Sequence, residues 1–412
     1  MRFFAIAQND KTEAFRNSKQ RINMLVVCHY GEIALKGDNR KIFEEKLVEN
    51  IKKSLQVNGI VFDYVKRISG RVIVETQVAR ILGSKEPGYL ENVLKKVFGL
   101  IYFAFSQQCD LNIEAIKEKA IGILKDKDFR TFKAEAKRGN KNFALNSQQI
   151  NEQVGKAVIE KLGKKVDLHN PDVVLFIEIT EKYAFLYTEK ISGPGGLPAG
   201  ISGKAISLIS GGIDSPVASY LMMKRGVENI FVHFYSNQQG YEQSLEKVRQ
   251  IIGVLKNYQF SSKVYFVPFS DIQKEILLKT LADLRVVLYR RFMFLVSQEI
   301  AAKENAKALI TGESVGQVAS QTLDNILAIE EAVSLPILRP LAGMDKIEII
   351  DMAKKIGTYE ISILPHLDCC SMFVPEHPAT KASLKEVQKA EKKLKIKKLI
   401  ALAIKNSTVE II

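Results

Sequence analysis

Ser210-Gly211-Gly212-Ile213-Asp214-Ser215-Pro216 directly follows a short apolar run, residues 205–209. Such a run, closed by two glycines and a proline, reads as strand, loop and helix start. Pro216 suits the first helical turn, where its missing N–H would lack a partner anyway. Glycines let a backbone close on a ligand, while free loop amides and the helix dipole favour an anion. Ser210 and Ser215 add hydroxyl donors. Asp214 is the odd residue, because a carboxylate repels a phosphate unless a cation or another donor lies between. It therefore points to Mg²⁺-assisted nucleotide chemistry rather than simple phosphate holding. A Walker A loop is the nearest competitor. Gly200-Ile201-Ser202-Gly203-Lys204-Ala205 lacks its four-residue spacer and puts Ala205 where a hydroxyl should hold metal, so it is rejected.

Downstream, short apolar runs at 205–209, 230–235, 264–268 and 308–311 alternate with helical patterns at 217–225, 241–255 and 271–303. Alternation of this kind predicts a doubly wound parallel sheet with helices on both faces. Ligands of such sheets lie at the carboxyl edge, where His233-Phe234 ends its strand. A histidine there is as readily structural as functional. Arg290-Arg291 could reach phosphates or simply face solvent. The small, polar stretch 311–322 suits a second loop over a nucleotide.

Upstream, residues 191–203 hold five glycines and two prolines, the clearest composition break and a domain boundary. From 24 to 80 the pattern is strand, helix (40–55), then a hairpin turning at Ser69-Gly70. This is a small α+β unit of ferredoxin-like size. From 81 to 190 a second α/β unit follows, with helices at 111–125 and 147–162, the latter starting at Ser147 as candidate cap, and strands at 129–137, 173–180 and 184–187. Residues 1–23 are a weakly patterned extension. The working division is 1–23, 24–80, 81–190, 191–203 as linker, and 204–412.

Composition sets the outer bounds. With 412 residues, 46% hydrophobic and 26% charged, the chain is ordinary globular protein of two or three domains. No apolar run approaches the ~20 residues of a membrane span, and no signal peptide opens the chain. Four cysteines make no disulfide scaffold, so the reading is cytoplasmic with reduced thiols. The net charge is +14, and residues 1–200 supply 33 basic against 24 acidic side chains. A positive field of this size suits a polyanion.

Ser-Gly-Gly-Ile-Asp-Ser-Pro resembles the signature of the PP-loop ATP pyrophosphatases, which split ATP into AMP and pyrophosphate and adenylate an oxygen of their substrate. Other motifs narrow this. His29-Tyr30-Gly31-Glu32-Ile33-Ala34-Leu35-Lys36-Gly37, Lys164-Lys165-Val166-Asp167-Leu168, Asn170-Pro171-Asp172, Gly193-Pro194-Gly195-Gly196-Leu197-Pro198, Arg339-Pro340-Leu341 and Asp345-Lys346 occur in order. Over about residues 24–400 the set resembles the tRNA 4-thiouridine synthetases (ThiI), or tRNA sulfurtransferases.

The resemblance implies an N-terminal ferredoxin-like α+β domain, a THUMP α/β domain and a C-terminal PP-loop domain. It implies ATP and Mg²⁺ as cofactors and tRNA as partner, with uridine 8 of tRNA converted to 4-thiouridine. ATP contacts would come from Leu208, Ile209, Ser210, Gly211, Gly212, Asp214, Ser215, His233, Phe234, Arg290, Gly312 and Gln321. Asp214 and Lys346 would support adenylation. THUMP domains bind tRNA, so Lys133, Lys137, Arg138 and Lys141 become tRNA candidates. They lie in residues 125–141, which hold seven basic and three acidic side chains. The nearby Phe129, Phe132 and Phe143 read as core first and stacking platforms second.

Asp368-Cys369-Cys370-Ser371 is a vicinal cysteine pair suited to carrying sulfur as a persulfide or releasing it by disulfide formation. In the family a cysteine follows the Asp-Lys lysine by 23 residues, which is Cys369 here. Longer members add a C-terminal rhodanese-like domain, but no cysteine follows Cys370. A separate donor is therefore expected: a cysteine desulfurase, with a rhodanese or another sulfur carrier. A homodimer is also expected, and a role in thiamine thiazole synthesis only secondarily. Residues 381–398, with eight lysines and two glutamates, read as a basic helix that is either solvated or RNA-contacting. Thiolation of another tRNA base and plain tRNA binding are the competing functions.

Overall fold

In the computed structural model the described residues are 21–68, 70–79, 86–236, 241–365 and 378–412. They fall into two compact units, divided between Gly196 and Leu197. Among them no helix is long and apolar enough to cross a membrane.

The first unit is built on one nine-stranded sheet. Its first part is β1 (Arg21–Tyr30), α1 (Arg40–Val57), β2 (Phe62–Ile68), β3 (Arg71–Ala79), α2 (Glu86–Leu94) and β4 (Leu100–Asp110). Its second part is α3 (Ile113–Leu124), β5 (Thr131–Arg138), α4 (Ser147–Leu162), β6 (Lys165–Val166), β7 (Val173–Ile179), β8 (Tyr183–Tyr187) and β9 (Ile191–Ser192). The two parts share β4. Leu100 to Ser106 pair with β1, and Gln107 to Asp110 pair with β8. The expected boundary at residue 80 therefore has to move. Leu90, Val93, Leu94, Val97, Leu100 and Phe103 pack in the same core as Val26, Leu47 and Val72. The second core joins α3 and α4 to Phe132, Leu175 and Ile177. The cap of α4 is Asn146, not Ser147. It forms a capping box in which the Asn146 side chain accepts from Gln149 N at 2.9 Å.

A buried charge cluster ties the two parts together. Glu178 on β7 accepts from Tyr187 Oη at 2.6 Å, meets His29 Nε2 of β1 at 2.8 Å, and faces Arg71 Nη1 of β3 at 3.1 Å. His29 also stacks on Tyr102 of β4 at 4.3 Å between ring centres. Burial alone would raise the Glu178 carboxyl. His29, Arg71 and Tyr187 outweigh burial and hold it at about 2, against its ordinary 4.5.

The second unit carries a six-stranded sheet in the order β14-β13-β10-β11-β12-β15. Its strands are β10 (Lys204–Leu208), β11 (Glu228–Tyr235), β12 (Lys263–Pro268), β13 (Leu309–Ile310), β14 (Ile337–Leu338) and β15 (Thr408–Ile411). All neighbours pair in parallel except β15, which runs antiparallel to β12 at the edge. The sequence reading did not foresee β15, four residues at the end of the chain. The unit's helices are α5 (Asp214–Lys224), α6 (Tyr241–Gln259), α7 (Ser270–Lys279), α8 (Arg285–Glu304), α9 (Leu323–Glu330), α10 (Lys346–Ile356), α11 (Tyr359–Ser362), α12 (Leu384–Glu391) and α13 (Ile396–Lys405).

Two helical expectations need correction. The span 271–303 is α7 and α8. Thr280 turns extended at the end of α7, with its backbone N–H and its hydroxyl both donating to the Ile276 carbonyl, at 3.0 and 2.8 Å. The basic segment 381–398 is not one solvated helix. Lys395 breaks it, and the apolar Val387, Ala390, Leu394, Ile400 and Ala403 are buried in the main core.

Because Glu178 titrates lower folded than unfolded, its stabilisation is complete above about pH 4.5 and is lost as pH falls towards 2. We expect Glu178→Gln to destabilise the first unit by about 3–5 kcal/mol, since it leaves Arg71 buried without its counter-charge. Denaturant unfolding at pH 7 and pH 3 measures both; an unchanged midpoint at pH 7 would contradict the stapling role.

Candidate active site

Strand β10 ends at Leu208, and the chain turns through residues 209–213 into α5. The loop is shaped by its own serines. Ser210 N donates to Ser215 Oγ at 2.9 Å, the two hydroxyl oxygens lie 3.1 Å apart, and Gly212 N donates to Ser210 Oγ at 3.3 Å. Ser219 Oγ, one turn on, donates to Ser215 O and meets Ser207 Oγ on β10, both at 2.7 Å. No side chain caps the start of α5, so its first N–H groups face the loop's concavity.

Above this loop sits a cavity of about 290 Å³. Of the twelve residues expected at a nucleotide, eleven line it: Leu208, Ile209, Ser210, Gly212, Asp214, Ser215, His233, Phe234, Arg290, Gly312 and Gln321. Gly211 is buried in the loop and does not line it. Five further residues do: Val232, Met293, Thr311, Gln317 and Val318. Gln317 and Val318 lie inside the polar stretch already singled out. Val232 and Met293 carry only the apolar signal of any core residue, so nothing in the sequence marks them.

His233 is buried, with Nδ1 2.9 Å from the Ile209 carbonyl, so it braces the loop's first residue at the cavity wall. Gly312 answers a spatial demand. A Cβ there would lie 2.7 Å from Ser215 N and 2.8 Å from the Asp214 carbonyl carbon. Only glycine lets the loop after β13 rest on the loop after β10.

Glu313 lies in that same polar stretch, but nothing in the sequence marks its role. It is buried, pairs with Arg290, accepts from Arg339 Nε at 2.7 Å and takes the Thr311 hydroxyl at 3.0 Å. Burial opposes its charge, but the two arginines prevail and hold its carboxyl below the usual range. Arg290 thus reaches the cavity already fixed by a buried carboxylate. Arg291 points elsewhere, into a bidentate pair with Glu391 at 2.7 and 2.8 Å.

Asp214 and Lys346 meet at the cavity's edge. Lys346 Nζ donates to Asp214 Oδ1 at 2.5 Å, and Gln317 Nε2 donates to Oδ2 at 3.0 Å. Lys346 opens α10, whose capping box holds Asp345 against Glu348. Cys369 and Cys370 lie outside the described residues. Burial pushes the other two thiols up, Cys109 to about 11 and Cys28 further, so neither is a ready nucleophile.

The candidates for RNA lie on and after β5 in the first unit. Lys137 and Lys141 are exposed. Lys133 is half-buried beside Glu135, 3.6 Å away. Arg138 Nη1 donates to the Phe143 and Leu145 carbonyls at 3.0 and 3.2 Å, clasping the loop it begins. Phe129 and Phe132 are core residues.

Three family models match along the chain in order: the ThiI ferredoxin-like domain over residues 25–104, the THUMP domain over 111–189, and thiamine biosynthesis protein (ThiI) over 200–396. A probable tRNA sulfurtransferase of Caldanaerobacter subterraneus subsp. tengcongensis is 47% identical over 379 residues, spanning 91% of this chain and 97% of its own. One from Moorella thermoacetica is 43% identical over 382 residues, spanning 92% and 96%. The chain belongs to the ThiI family of tRNA sulfurtransferases. A solved member, a 4-thiouridine synthetase–RNA complex with bound ATP, matches with a TM-score of 0.84 at 36% identity, over 95% of this chain and all of that one. The three domain types matched along this chain are the ones the ThiI resemblance implied.

Gly312→Ala is expected to force the two loops of this ThiI-family site apart at a cost of about 1–3 kcal/mol, weakening nucleotide affinity roughly 10- to 100-fold. Calorimetric titration with ATP, beside a thermal melt showing an intact fold, measures this. Unaltered affinity would mean that the contact does not shape the loop.

Proposed function

We propose that this chain adenylates O4 of the uridine at position 8 of tRNA and replaces that oxygen with sulfur. The carbonyl oxygen of uridine leaves poorly. Attack of O4 on the α-phosphorus of ATP expels pyrophosphate and makes the oxygen part of an AMP leaving group. A sulfur nucleophile then attacks C4, and AMP departs with the old oxygen, leaving 4-thiouridine. The amides and hydroxyls of the 210–215 loop hold phosphate oxygens, and Arg290, fixed by Glu313, adds a cation where charge accumulates.

The observation that carries this reading is the Lys346–Asp214 pair at 2.5 Å on the rim of the cavity. Lysine and aspartate arrive from the starts of two helices, 132 residues apart, and meet where the α-phosphate would react. The solved relative that carries RNA and ATP matches nearly the whole chain and supports ATP as the cofactor.

Mg²⁺ fits the donor set. Among the described residues no group of three or more His, Cys, Asp or Glu side chains could cage an ion. Mg²⁺ normally enters such sites with the phosphates and takes one or two protein carboxylates. Asp214 would hold it, and it would supply neutralisation of phosphate charge. Sulfur would reach Cys369 as a persulfide from a separate cysteine desulfurase, rhodanese or other carrier. Cys370, or a thiol on another protein, would then complete its release. Lys137 and Lys141 would grip tRNA phosphates from the THUMP part without reading sequence. This reading places the enzyme in the cytoplasm as a homodimer, the first unit of one subunit presenting tRNA to the other.

We expect Asp214→Ala to lower tRNA-dependent ATP–pyrophosphate exchange about 100-fold or more while leaving tRNA affinity near that of the parent. Nucleoside mass spectrometry of tRNA from a deletion strain should show no 4-thiouridine at position 8. If ATP, tRNA and a persulfide donor together never yield AMP, the proposal fails.

A further inference from the structure

The lysine-rich segment near the C-terminus has no task in the chemistry above. In the fold it becomes a helical hairpin, α12 and α13, joined at Lys392–Lys395. Its inner face is spoken for, since Val387, Ala390, Leu394, Ile400 and Ala403 are buried in the core. Its one buried carboxylate is also engaged, because Glu391 forms the bidentate pair with Arg291, which in turn meets Glu331 at 3.0 Å. Lys392, Lys393, Lys397 and Lys398 remain exposed at the turn and enter no ion pair among the described residues. Lys392, Lys397 and Lys398 also line an open trough of about 650 Å³.

We infer that this turn is a phosphate-gripping surface for RNA on the catalytic unit, separate from the THUMP part. Four lysines on a rigid scaffold, with the buried Glu391 neutralised by Arg291, form a surface that favours a polyanion. The identity of the polyanion follows from the hairpin's other face. A basic amphipathic helix that binds lipid must insert its apolar side. Here most of that side is packed inside the protein, with Ile396 and Leu399 left only partly covered, so the lysines dominate what faces solvent. Lysines of this kind hold backbone phosphates without reading bases. The inference rests on the proposed use of tRNA as substrate and adds where the catalytic unit holds it.

The test replaces Lys392, Lys393, Lys397 and Lys398 with glutamine in the full chain, beside a variant with arginine at the same four positions. Full-length tRNA is titrated from low to moderate salt, and ATP affinity is measured on each protein. The glutamine variant should bind tRNA at least about tenfold more weakly. Its log–log salt slope should be shallower by about 3, since each phosphate that a lysine neutralises adds roughly 0.7–0.9. ATP affinity should not change, and the arginine variant should keep the parent slope. Equal tRNA affinity and slope in parent and glutamine variant overturns the assignment. So does a defect confined to anionic lipid vesicles or to an acidic protein partner. If the parent fails to bind tRNA at all, the proposed activity falls first, which separates that failure from the failure of the hairpin alone.

Discussion

The catalytic unit depends on one close approach, the absent side chain of Gly312 against the backbone of Asp214 and Ser215. That contact exists because β10 and β13 are parallel neighbours, with Ile206 beside Leu309 and Ser207 beside Ile310. Both strands therefore release their loops at the same carboxyl edge. The chain goes from β10 to β11 and β12 on one side, then returns to β13 on the other. The crevice where direction reverses is where doubly wound sheets bind ligands. Here β10 supplies Leu208, β11 supplies Val232, His233 and Phe234, and the segment after β13 supplies Thr311 and Gly312. Glu313, next in line, then fixes Arg290 and Arg339. One missing methyl group thus permits a loop contact, and the loop contact places a cation.

The first unit solves a different problem. Its two halves share one sheet, and the seam runs through His29, Arg71, Tyr102, Glu178 and Tyr187. Buried ion pairs are poor sources of net stability, because each charge gives up hydration to be there. What they provide is intolerance of misalignment. Slipping β1, β3 or β7 by one residue would turn its charge to the opposite face and strand the others. The seam therefore fixes the angle between the ferredoxin-like part and the THUMP part more sharply than apolar packing would. That is a useful property where a large, stiff RNA must be presented consistently.

Much of the fold is legible in the sequence itself. The loop 210–216 announces itself because glycines, serines and a helix-starting proline are local signals, and strand alternation points to the parallel sheet. The residues that sequence reading loses are those whose meaning is non-local. Glu313 looks like any surface glutamate until Arg290 and Arg339, 23 and 26 residues away, close on it. The split of 271–303 falls where the backbone turns extended at Thr280, a break that a periodicity count does not see. The lysine-rich segment misleads in the opposite way. Its charges hide the apolar positions that bury α12 and α13. β15 is too short to announce itself, and it pairs only because the edge of β12 is open there. The boundary at residue 80 fails because a strand shared by two cores leaves no composition break.

The Asp214–Lys346 pair is better explained by chemistry than by stability. With Asp214 about one-fifth and Lys346 about two-fifths exposed, it is a surface pair worth roughly 0–1 kcal/mol. Nearby, Glu313 holds Arg290 and Arg339 in a buried pairing that could not be broken without stranding a charge. The exposed pair has what the buried one lacks, freedom to change partners cheaply. Asp214 opens α5, and Lys346 opens α10 above a capping box that holds its backbone rigid. Both side chains therefore hang from fixed points while their charged ends stay wet. In the proposed reaction an arriving triphosphate would take the ammonium from the carboxylate at little cost, because neither charge has to be desolvated to be separated. The carboxylate is then free to face a cation or the Gln317 amide that already touches it. A weak bond between two firmly anchored residues is what a site needs if its ground-state partners are to be traded for substrate.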